Sequence, residues 1–106
     1  MYLTTRGRKT ALPREIEIWF TQRDRRFYVI AEHPHSQWVE NLRAHPEGQV
    51  RVAGRSFKVR GRILSPEEPE LRAVQELSRR KYGWGEGLVV ELIEVETENR
   101  EPATEN

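Results

Sequence analysis

The stretch REIEIWF, Arg14–Phe20, alternates at every step: Ile16, Ile18 and Phe20 fall on one face, Glu15, Glu17 and Trp19 on the other. A period of two sustained over this length predicts a strand with one face buried. Upstream, Tyr2–Thr5 reads as a short strand, and the polar turn Arg6–Thr10, closed by Pro13, returns it to the first. Downstream, the polar turn Arg23–Arg26 leads into FYVIA, Phe27–Ala31, a nearly continuous apolar run that suits a strand covered on both faces. Glu32–Gln37 is a loop by its proline and polarity.

Beyond that loop the period changes. Ser36 is a candidate N-cap; Trp38, Val39 and Leu42 form an apolar helical stripe, and Pro46 ends it. QVRV, Gln49–Val52, and SFKVRGRIL, Ser56–Leu64, return to alternation and read as a hairpin. Phe57, Val59 and Ile63 face inward; Lys58, Arg60 and Arg62 form a basic outer stripe. SPEE, Ser65–Glu68, has the form of a helix start, with Leu71, Val74, Leu77 and Tyr82 on the inner side and Gly83 as the stop. LVVELIEV, Leu88–Val95, is the last strand. Six strands and two crossing helices favour a mainly β fold, an antiparallel sheet closed into a small barrel. Residues 1–95 are read as a single domain, and the polar, acidic stretch 96–106 as a disordered tail.

Composition narrows the function. With 106 residues the chain has the length of one domain, and its 36% hydrophobic content implies a small core that a partner subunit would help to cover. The net charge of +1 excludes a uniformly basic nucleic-acid binder, but it conceals a division. Residues 1–62 hold 13 Lys/Arg against 6 Asp/Glu, and residues 63–106 hold 5 against 11. A domain polarised in this way can present a basic face to an anion. Without cysteine there is neither a disulfide framework nor a thiolate metal site. No apolar run reaches the length of a membrane span, so the expectation is a soluble, cytoplasmic protein.

The most suggestive chemistry lies in TTRGRKT, Thr4–Thr10. A glycine lets backbone N–H groups approach a ligand, arginine offers forked donors, lysine a point charge and threonine a hydroxyl. The turn is therefore a solvated loop, a nucleic-acid patch or a phosphate cradle; the residues alone leave all three open. His33 and His35 flank Pro34 with no third ligand convincingly nearby, which favours a loop over a metal site. Trp19 stands on the charged face of its strand, as a dimer contact or a site residue. Tyr82 and Trp84 are expected at a dimer interface or over a ligand edge. The stripe Lys58, Arg60, Arg62 has few aromatic neighbours, which argues against single-stranded nucleic acid as a partner.

Taken in order, LTTRGRKTALPREIEIWF, FYVIAE, WVENLRAHP and VRVAGRSFKVRGRIL resemble the deazaflavin-dependent nitroreductase and quinone-reductase family over about residues 2–95. The matching positions are Leu3, Thr4, Thr5, Gly7, Arg8, Lys9, Thr10, Pro13 and Arg14, then Trp38, Asn41, Leu42 and Pro46. Ala11 stands where a second glycine is usual in that pattern, and the loop Glu32–Gln37 is short. The resemblance implies a split β-barrel of the FMN-binding, pyridoxamine-phosphate-oxidase-like type, acting as a homodimer. It implies the deazaflavin coenzyme F-420 as cofactor, with FMN as the alternative, and hydride transfer to a quinone, nitro compound or other conjugated acceptor. Arg8, Lys9, Thr10 and Arg14 would hold the cofactor phosphate. Ala31, Glu32 and His33 would line its ring, and Trp38 would flank the cofactor or substrate. Tyr82, His33 and Ser36 are the candidate proton donors. A barrel that binds a cofactor or partner without catalysis is the remaining alternative.

Overall fold

The computed structural model describes residues 1–95, so the expected tail, 96–106, lies outside the described residues. The strands are β1 (Tyr2–Arg6), β2 (Pro13–Glu17), β3 (Thr21–Arg23), β4 (Arg26–Ala31), β5 (Glu47–Val52), β6 (Arg55–Ile63) and β7 (Leu88–Glu94). Helix α1 (Gln37–Ala44) links β4 to β5, and α2 (Glu70–Tyr82) links β6 to β7. All pairings are antiparallel, within one sheet of order β2-β1-β5-β6-β7-β4-β3.

That order forces the sheet to curl. The edge strands β2 and β3 are separated in sequence only by Ile18, Trp19 and Phe20. Such a link reaches at most about 14 Å, whereas the edges of a flat sheet of this strand number would lie roughly 29 Å apart. The two edges must approach each other, and a barrel results.

The barrel interior is filled from every wall. Leu3, Phe27, Val29, Val50, Phe57, Val59, Val90 and Leu92 form one buried cluster, which Leu42 of α1 joins from outside the sheet. Gly61 makes room for it: an added Cβ there would meet the Leu42 methyl groups at 3.3–3.4 Å. The alternate residues of β4 and β7 point outward and are covered by α2, where Tyr28, Val89, Leu64 and Val74 form a second cluster. Strand β4 is thus covered on both faces, as its apolar run predicts.

Between that cluster and the sheet surface lies a charged network. Glu91 of β7 is fully buried. Its carboxylate accepts from Arg26 Nη1 at 3.0 Å and from Arg62 Nε at 3.2 Å. The Tyr28 hydroxyl donates to Glu70 Oε2 at 3.0 Å, and burial, with that bond second, pushes its pKa up to about 12. Arg62 also donates to Glu68 at 2.8 Å, and this bond, with the Ser65 N–H, holds the Glu68 carboxyl below its ordinary value. A buried carboxylate needs such partners because an unpaired one would be costly to desolvate.

Two expectations are corrected. Seven strands form rather than six, because the Arg14–Phe20 strand stops at Glu17 and Thr21–Arg23 pairs with β4 instead. Ile16, Ile18 and Phe20 still pack against the core, so the alternation continues through the corner although the pairing does not. Helix α2 begins at Glu70, not after Ser65. Pro69 has no N–H to donate to the Ser65 carbonyl and disfavours helical backbone at Glu68. Ser65–Glu68 closes instead as a turn, with the Glu68 N–H on Ser65 O at 3.1 Å and Glu68 Oε2 accepting from the Ser65 N–H at 2.8 Å.

Candidate functional site

The turn between β1 and β2 is held by its own backbone and by one helix residue. Gly7 N–H donates to Leu12 O at 2.9 Å, and Ala11 N–H donates to Gly7 O at 2.7 Å. Gly7 has no room for a side chain: an added Cβ would lie 2.9 Å from Thr10 Oγ1 and 3.1 Å from Leu12 O. Ala11 takes a left-handed conformation, φ 62°, which accounts for glycine being usual at this place.

Asn41 on α1 clamps the turn to the barrel. Its Oδ1 accepts from the Arg8 backbone N–H at 3.2 Å and from Arg8 Nη1 at 3.0 Å. Its Nδ2 donates to Thr5 Oγ1 at 3.1 Å, and the residue is buried. Arg8 Nη1 donates further to Gln37 Oε1 at 2.8 Å. The Arg8 guanidinium is thus a brace, whereas Lys9 and Arg14 make no side-chain hydrogen bond or ion pair among the described residues. Thr10 Oγ1 accepts from the Leu12 N–H at 3.2 Å and keeps its own proton available.

These residues border a cavity of about 530 Å³. Of the positions anticipated for the cofactor, Arg8, Lys9, Thr10, Arg14 and Trp38 come together here. Ala31, Glu32 and His33 do not line it. Glu32 lines a second cavity, Ala31 is buried at the end of β4, and the His33 carbonyl accepts from the Ser36 N–H and hydroxyl. His35 is bound to Glu40 at 2.7 Å, a contact that holds the Glu40 carboxyl below its ordinary value. Thr5, Gln37 and Asn41 are the cavity residues that sequence reading left without a role. The available signal was that Thr5 and Asn41 are both matching positions of the family pattern.

The second cavity, about 730 Å³, opens where the barrel edges meet. Trp19, Phe20, Tyr82 and Trp84 supply ring surfaces, and Glu17 and Glu32 supply carboxylates. Trp19 stacks on Tyr82 with centroids 4.4 Å apart and planes 7° from parallel. The Tyr82 hydroxyl accepts from the Phe20 N–H at 3.1 Å and donates to Phe20 O at 2.9 Å. Lys81 Nζ donates to the same carbonyl at 2.9 Å and lies 4.1 Å from the Phe20 ring centroid. The end of α2 therefore pins the corner Ile18–Phe20. Ile16 lines the basic cavity and Glu17 the aromatic one, so consecutive residues of β2 serve both.

The basic stripe on β6 is largely matched by acid: Arg60 pairs with Glu47 at 3.5 Å and Arg62 with Glu68 and Glu91. Among the described residues, no helix is long and apolar enough to cross a membrane.

A curled antiparallel sheet with two crossing helices and a cavity at a basic turn defines a split β-barrel protein. Residues 1–85 match the F420H(2)-dependent quinone reductase family, and the chain belongs to that family. Solved structures share its fold. An F420-H2 dependent reductase, FDR-A, is 19% identical with a TM-score of 0.72, over 88% of this chain and 91% of the other. HutZ, a heme storage protein of Vibrio cholerae, is 12% identical with a TM-score of 0.72, over 91% of this chain and 81% of the other. A structure described as a domain-swapped dimer is 19% identical with a TM-score of 0.72, over 88% and 78%. No curated protein matches the chain. The fold is thus shared by proteins of unlike function, and the family match narrows the reading.

Proposed function

We propose that the protein is a reductase that holds reduced F420 at the basic cavity and reduces a quinone, nitro compound or other conjugated acceptor at the aromatic one. The observation that carries this reading is a pair of uncommitted cations beside Trp38, Lys9 on a turn immobilised by Gly7 and Asn41 and Arg14 on the strand that follows it. Such an arrangement suits a phosphate: two cations border one cavity with no protein partner to give up, on a backbone already held in place. Thr10 adds a hydroxyl, and Arg8 keeps the turn in shape. The segment Ala31–His33 would border the ring of the cofactor, with Glu32 on the side of the aromatic cavity. When bound, the reduced cofactor supplies the hydride; the protein orients it and excludes water. The Tyr82 and Ser36 hydroxyls already donate to Phe20 O and His33 O, so neither is a free proton donor. The family match names F420H(2), not flavin mononucleotide.

A homodimer in the cytoplasm belongs to the same reading. Exposed Leu12 and Ile93 are large apolar side chains available to an interface, and a sedimenting mass of one chain at micromolar concentration would count against it.

Titration with F420 and with flavin mononucleotide, followed by fluorescence, tests the cofactor assignment. F420 is expected to bind more tightly. Lys9→Ala should weaken it by about ten- to a hundredfold, the loss of one charge-assisted contact, while unfolding stability changes by less than about 0.5 kcal/mol. Binding of neither cofactor would overturn the proposal.

A further inference from the structure

The aromatic cavity carries a charge signature opposite to that of the basic one. Glu17 and Glu32 line it, both exposed and neither hydrogen-bonded nor ion-paired among the described residues; Lys81, bonded to the Phe20 carbonyl and lying over the Phe20 ring, is the cation beside it but is not in the lining. Its ring surfaces, Trp19, Phe20, Tyr82 and Trp84, suit a planar ligand. Thr21, which also lines the cavity, has the one buried side-chain oxygen among the described residues without a hydrogen-bond partner. A polar atom left in that condition is better served by an incoming oxygen or nitrogen than by the protein alone.

Granted the reductase reading above, we propose that Glu17 and Glu32 set acceptor specificity: uncharged or cationic planar acceptors enter, and carboxylated or sulfonated ones are refused. Specificity of this kind needs only a repulsive element against the wrong ligand. Both carboxylates sit at the mouth rather than in the core, so the discrimination is several-fold and fades as salt screens it.

The probes are 1,4-naphthoquinone and its 2-sulfonate, titrated against the cofactor-free protein by quenching of tryptophan fluorescence. The chain has no cysteine, so thiol addition to the quinone does not interfere. At low salt the neutral quinone should bind about three- to tenfold more tightly, as expected for repulsion by two exposed charges. In the double variant Glu17→Gln, Glu32→Gln the ratio should fall, by tighter binding of the sulfonate, and 0.5 M sodium chloride should narrow the wild-type gap. Equal wild-type affinities, or a ratio unmoved in the double variant, would overturn the selectivity. Quenching by neither probe would overturn the cavity as the acceptor site. F420 affinity of the wild-type protein, measured separately, reports on the reductase reading, so the two failures are distinguishable.

Discussion

Two cavities share β2, the basic one along Arg14–Ile16 and the aromatic one from Glu17 onward, and they are built on different principles. The basic cavity rests on local structure: a short turn, shaped by Gly7 and Ala11, with one buried side chain, Asn41, reaching in from α1. The aromatic cavity rests on distant structure. Its wall brings the corner Ile18–Phe20 together with the end of α2, where Tyr82 and Lys81 reach across the closing seam to a backbone carbonyl at Phe20. The first is therefore sensitive to single buried polar groups, and the second to whatever keeps the barrel edges together.

Asn41→Ala should give the largest effect. It strips hydrogen bonds from the Arg8 N–H, the Arg8 guanidinium and the Thr5 hydroxyl at a buried position. The expected loss is about 2–3 kcal/mol, since partners left unsatisfied cost more than the bond itself contributed. Denaturant unfolding measures that loss, and F420 titration should show weaker binding because the turn is no longer held. If affinity falls while stability is retained, Asn41 touches the ligand instead of bracing the turn.

Tyr82→Phe probes the other cavity. It keeps the ring that stacks on Trp19 and removes only the hydroxyl shared by the Phe20 N–H and carbonyl. A loss of about 1 kcal/mol is expected, partly offset because Lys81 still reaches Phe20 O. F420 affinity should be unchanged, while naphthoquinone quenching weakens as the corner loosens. A matching loss of F420 affinity would mean that the cavities are coupled through β2 and are not independent.

The same contrast explains what could be read in the sequence. The strands of the barrel wall were legible because burial on one face imposes alternation, and FYVIA was legible because α2 covers its second face. The corner after Glu17 was not, since Ile18 and Phe20 continue to pack against the core, while β2 stops where its partner β1 begins, with Tyr2 facing Glu17. The late start of α2 was legible in principle from Pro69, whose missing N–H competes with the capping signal at Ser65. The basic turn was found because its residues are adjacent. Trp19, Tyr82 and Trp84 each drew attention singly, but no local pattern could have told that Trp19 and Tyr82 stack, as they are brought together only by barrel closure. Asn41 was visible as a motif position, yet its role as a clamp depends on a turn more than thirty residues away.

The smallest expected effect lies within the basic turn itself, at Ala11. Its φ of 62° crowds the Cβ against the backbone, at a cost of roughly 1–2 kcal/mol for a non-glycine residue. Glycine would remove that strain but would also give the unfolded chain more freedom, which offsets about 0.4–1 kcal/mol. Ala11→Gly should therefore stabilise the protein by up to about 1 kcal/mol, read as a small rise in the unfolding midpoint. Its effect on F420 affinity separates two roles for the alanine. If Ala11 merely bears strain, affinity is unchanged. If its Cβ restricts the turn to the shape that presents Lys9, the more stable variant binds F420 less tightly, and the stiffness of the local cavity is a property of the alanine as much as of Asn41.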